Sequence, residues 1–66
     1  MQIILNGKPS EQPESLTIRD LIERLGLARA ICAVEVNSQV IPRAQHDSCP
    51  VQEHDNIEIV TLVGGG

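Results

Sequence analysis

Only one stretch of the sequence has the period of a helix, and that limits what the rest of the chain can become. Ile18, Leu21, Ile22 and Leu25 recur at i, i+3, i+4 and i+7, leaving Arg19, Asp20, Glu23 and Arg24 for solvent. Thr17 can cap this helix, and Asp20, at the third helical position, can complete a capping box with it. Gly26 follows as a left-handed stop, and Leu27 can fold back on Ile22. One short amphipathic helix covers one face of one sheet. A chain of 66 residues has room for little more, and without Phe, Tyr or Trp the layer between helix and sheet must be aliphatic.

The remaining segments read as short strands. Met1–Leu5 alternates, with Ile3 and Leu5 on one face and Gln2 and Ile4 on the other. Asn6-Gly7 is a hairpin turn, because a type I′ turn needs positive φ at both central positions. The return strand starts at Lys8. Pro9 lacks a ladder donor and Pro13 ends the run, which predicts a short edge strand. Cys32–Val36 reads as a third strand with Val34 and Val36 inward. Asn37-Ser38-Gln39 then turns the chain into a brief Val40-Ile41 strand closed by Pro42. Residues 43–53 read as an irregular polar loop touching the core through Val51. Asp55-Asn56 is a turn before a final strand whose Ile57 and Ile59 face inward. If the right-handed crossover sets this last strand beside the first, both proline-bearing strands fall at edges. The expectation is an α+β chain: a mixed sheet with one main helix across one face, in the β-grasp arrangement.

The final strand runs straight into Gly64-Gly65-Gly66. Glycines have no side chain to bury and lose the most freedom on ordering, so folding has no use for them there. The division expected is a domain over 1–63 and a flexible glycine arm over 64–66, carrying a carboxylate away from the body. A frayed end or a cloning scar would leave similar residues. A phosphate-cradling glycine loop is excluded, because such a loop needs a helix after it. Chemistry, if the arm has any, should happen at its carboxylate, and any nucleotide chemistry belongs to a partner.

Five basic residues against nine acidic give a net charge of −4, which disfavours nucleic acid and anionic membrane as partners. No apolar run reaches the ~18 residues of a spanning helix, and no signal segment opens the chain. The expected compartment is the cytoplasm, with Cys32 and Cys49 as free thiols.

Chain length, the segment Asn-Ser-Gln-Val-Ile-Pro-Arg at 37–43, and Asp-Asn-Ile-Glu-Ile-Val-Thr-Leu-Val-Gly-Gly-Gly at 55–66 resemble the ThiS family, the ubiquitin-like sulfur carriers of thiamin biosynthesis. Two positions depart from the family pattern. His46 stands where an aromatic is usual, and His54 where a glycine usually precedes the aspartate. The resemblance implies that a ubiquitin-activating-like adenylyltransferase uses ATP and Mg²⁺ to adenylate Gly66. Sulfur from a cysteine desulfurase or sulfurtransferase then replaces AMP, and thiazole synthase consumes the thiocarboxylate. Gly64 and Gly65 would let the arm thread a narrow site. The chain would be a carrier rather than an enzyme, holding no cofactor of its own. The small subunit of molybdopterin synthase and protein-conjugated modifiers share the fold and tail, and a β-grasp binding module with an idle tail is the alternative of a different class.

Other residues invite a functional reading. Ile4, Val60 and Leu62 should face away from the helix and form a docking patch leading into the arm. His46, Cys49 and His54, with Asp47 and Asp55, could be drawn as a zinc site, but their spacing fits no structural zinc pattern, and solvated loop residues is the simpler reading. Cys32 reads as a small core hydrophobe and Cys49 as a loop thiol without a base beside it, which leaves no nucleophilic constellation. Asp20 and Glu23 read as a solvated helix face.

Overall fold

A computed structural model of the chain describes residues 1–62. The proposed arm residues Gly64, Gly65 and Gly66, and the end of the 1–63 domain, lie outside the described residues. In chain order the elements are β1 (Gln2–Leu5), β2 (Lys8–Glu11), α1 (Ile18–Arg24), β3 (Cys32–Val36), β4 (Gln39–Val40), a 3-10 turn (Arg43–Gln45) and β5 (Asn56–Thr61). The five strands form one sheet in the order β2-β1-β5-β3-β4. β1 and β5 run parallel at its centre, and the other pairs are antiparallel. This is the β-grasp arrangement, with β2 and β4 at the edges.

The hairpin forms at Asn6-Gly7, whose φ values of 51° and 82° are those a type I′ turn requires. Pro9 lies opposite Ile4 on the outermost strand, where its missing amide interrupts no ladder on the solvent side. Alternation buries Ile3, Val34, Ile57 and Ile59 on one sheet face, where Ile18, Leu21 and Ile22 of α1 complete an aliphatic core with Val51. Each fully buried side chain of this kind contributes about 1.5–3 kcal/mol.

The helix is capped as its sequence requires. Thr17 N–H donates to Asp20 Oδ2 at 3.0 Å, and Asp20 N–H donates to Thr17 Oγ1 at 3.1 Å. At the other end Gly26, with φ 77°, donates to the Glu23 carbonyl at 3.0 Å, and Leu27 N–H reaches the Ile22 carbonyl at 3.1 Å. Those two bonds are the Schellman stop. The helix therefore ends one residue earlier than its apolar period: Leu25 is the C-cap and is exposed rather than core. Asp20 is half-buried in the cap, whereas Glu23 stays outside, 3.3 Å from Arg19.

Two expectations for the second half need correction. The turn after β3 has two residues, not three, with Asn37 and Ser38 at φ 51° and 71°. That shifts β4 to Gln39–Val40, and Ile41 packs against the core beyond it. The loop over 43–53 is also not merely solvated. Its Cys49 and His46 carbonyls accept the Ile18 and Arg19 amides at 2.9 and 3.0 Å, the first orphan donors of α1. His46 is only 4% exposed, and its Nε2–H donates to the Ile41 carbonyl at 3.1 Å. His46 is thus a buried ring with its one donor satisfied rather than a solvated loop residue.

Candidate functional site

β5 carries the site. The inward pull on Ile57 and Ile59 turns Glu58 and Val60 outward, onto the sheet face that α1 leaves open. Val60 and Leu62 are each 54% exposed. Val60, Val40 and Ala33 border a shallow depression on this face, with Glu35 and Glu58 beside them. The two glutamates lie directly opposite each other on β3 and β5. Past the end of the strand, Leu62 N–H still donates to the Ile31 carbonyl at 2.8 Å, so β3's side holds the chain up to that residue.

Ile4 is 37% exposed on the same open face but stands opposite Asn56. Val60 lies four positions further along β5, about 13 Å along the strand. The structure therefore gathers Val60 with Val40 and Ala33, and sets Ile4 apart.

The start of β5 is built differently, and its organisation was not visible in the sequence reading. Asp55 is buried, its Oδ1 accepting Asn37 Nδ2–H at 3.0 Å and its Oδ2 accepting Gln52 N–H at 2.8 Å. Asn37 Oδ1 in turn accepts the Asn56 amide at 2.9 Å. The only hint was that a turn asparagine and an aspartate both flank strands; their pairing is long-range and leaves no local signature. His54 takes φ 69°, the left-handed conformation that a glycine adopts without cost.

The remaining candidates are dispersed. His54 is exposed with its Nε2 3.8 Å from Glu53, His46 is buried, and among the described residues no group of three or more His, Cys, Asp or Glu side chains could hold a metal ion. Cys32 and Cys49 are half-buried free thiols packed against the core. Among the described residues no helix is long and apolar enough to cross a membrane.

With this geometry in view, the sequence model of the ThiS family matches residues 3–66. The chain belongs to the ThiS family. A ThiS relative, the sulfur carrier protein of Escherichia coli K12, is 32% identical over 66 residues, covering all of both chains. The crystal structure of the thiamine biosynthesis protein ThiS from Geobacter metallireducens superposes with a TM-score of 0.85 at 36% identity, again over all of both chains. The fold is accordingly the ubiquitin-like β-grasp. A thiazole synthase of Magnetococcus marinus is 39% identical over the whole of this chain, which spans only 20% of that relative's length.

Proposed function

We propose that the chain is a sulfur carrier of thiamin biosynthesis, charged as a thiocarboxylate on Gly66. The observation that carries this reading is the family match over residues 3–66, which runs through the strand and into the glycines. The arrangement of the open face supports it. Apolar Val60 and Leu62 stand exposed and shortly precede Gly64, Gly65 and Gly66 in sequence, so a partner docked there holds the chain a few residues from the reacting end.

A carboxylate resists nucleophiles because its charge is spread over both oxygens. A partner adenylyltransferase using ATP and Mg²⁺ makes AMP the leaving group on the Gly66 carbonyl and releases pyrophosphate. The terminal sulfur of a persulfide, held by a cysteine desulfurase or sulfurtransferase, displaces AMP, and a thiol reductant frees the thiocarboxylate. The chain supplies the electrophile and the docking surface, which makes it a co-substrate of its partners rather than a catalyst. Gly64 and Gly65 present no Cβ to the walls of an active-site channel. Thiazole synthase is the recipient favoured over molybdopterin synthase, because the Magnetococcus thiazole synthase contains a matching segment within its own chain.

Intact-mass measurement on chain isolated from sulfur-replete cells tests the proposal. The expected product has one oxygen replaced by one sulfur in its C-terminal fragment. Sulfur added as a persulfide on Cys32 or Cys49, with an unchanged C-terminal fragment, would refute it.

A further inference from the structure

β5 is longer than the strand beside it. β1 pairs with it only at Ile4–Asn56 and Leu5–Ile57, because the chain then turns away at Asn6-Gly7. Odd-numbered residues of β5 direct their backbone groups to that side. The Asp55 and Ile57 carbonyls accept the Ile4 and Asn6 amides, both at 2.9 Å. Ile59 N–H has no strand opposite it and donates instead to the Asn6 side-chain Oδ1 at 2.8 Å. The Ile59 carbonyl and both backbone groups of Thr61 come next on this edge. Among the described residues nothing pairs with them. Unpaired groups in strand geometry are a template for another extended backbone.

We propose that the Ile59–Thr61 edge of β5 receives an extended backbone segment of the adenylating partner, added as a short strand just beyond the Asn6-Gly7 turn. Backbone pairing of this kind is a recurrent mode of peptide recognition. A second copy of this chain is a poor occupant, since each copy carries a net charge of −4. The partner that activates Gly66 is a good one. Gly66 lies five positions beyond Thr61, a span of at most about 18 Å, so an enzyme strand on this edge fixes the backbone within reach of its own nucleotide site. The occupant's identity rests on the sulfur-carrier reading, whereas the unpaired edge does not.

Thr61 offers a selective test, because its amide faces the free side and makes no bond to β3. Thr61→Pro removes that donor and leaves the β3–β5 ladder intact, and Thr61→Val keeps it. With the purified adenylating enzyme of the same organism, Thr61→Val should bind like the wild type and Thr61→Pro about tenfold more weakly, the worth of one hydrogen bond. Amide exchange on the wild-type chain gives a readout that needs no variant. The Thr61 amide should exchange fast in the free chain and slowly in the complex, with Ile59 slow in both. A Thr61 amide left unprotected in a complex that does adenylate the chain overturns the edge proposal alone. Protection that grows with the concentration of the chain by itself also overturns it, by assigning the edge to a second copy. A wild-type chain that the enzyme fails to adenylate overturns the sulfur-carrier reading and with it the named occupant.

Discussion

At its start β5 is held from both sides, and at its end from one. Around Asp55 and Asn56 the backbone bonds to β1, the Asn37 side chain ties in the turn after β3, and the Asp55 carboxylate is buried among donors. Six residues later Leu62 keeps a single bond to Ile31, and Val60 and Leu62 stand in solvent. The same strand thus begins as part of the scaffold and finishes as a surface. A domain this small has little stability to spare, and the cohesion of this strand is concentrated at its buried start.

The comparison can be broken most severely at the buried end. Asp55→Ala leaves the Asn37 amide and the Gln52 N–H without their acceptor. Hydrogen bonds to a charged group are worth about 1.5–3 kcal/mol each, so a loss of about 3 kcal/mol is expected in urea denaturation. A change below about 0.5 kcal/mol would mean the network is incidental.

His54→Gly should sharpen the same end in the opposite direction. A left-handed conformation costs an L-residue about 1–2 kcal/mol, and glycine's larger unfolded-state entropy returns part of that. A net gain of about 1 kcal/mol is expected, read as a rise in the urea midpoint without a change in slope. A loss would show that the His54 ring contributes more than its backbone costs.

The smallest stability effect belongs to the far end. Leu62→Asp should stay within about 0.5 kcal/mol of the wild type, as exposed substitutions do. On the proposed function it should nevertheless weaken binding to the adenylating partner, measured by titration calorimetry. Cooperative unfolding lost in this variant would mean that Leu62 is part of the core.

Most of the scaffold was legible because its signals are local. The Thr17 and Asp20 cap, the Gly26 stop, the Asn6-Gly7 turn and the Ile57–Ile59 alternation each need only a few neighbouring residues to be understood. What escaped was long-range or positional. Leu25 continues the apolar period of α1 but falls on the cap, where the chain is already leaving the core. His46 and Asp55 sit in polar stretches, and nothing local separates a solvated histidine or aspartate from one sealed under a loop by partners far away in sequence. Asn6 announces only a turn by its local sequence, yet its side chain also closes the Ile59 amide that β1 leaves open. The exposure of Val60 and Leu62 did follow from alternation, but their grouping with Val40 and Ala33 depends on the antiparallel register of β3 and β5.

The central claim is that the chemistry lies beyond β5 and is independent of what holds β5 in place. Appending one alanine after Gly66 tests it directly. The added residue should leave thermal melting unchanged, because the buried core is built from residues between Ile3 and Ile59. It moves the carboxylate on by up to about 3.6 Å and puts a methyl group where only glycine is expected. Misplacement by about 1 Å already costs about a hundredfold in rate. ATP–pyrophosphate exchange with the purified adenylating enzyme should therefore fall at least that far, at an unchanged melting temperature. Exchange at the wild-type rate would contradict the account and remove Gly66 as the reacting residue.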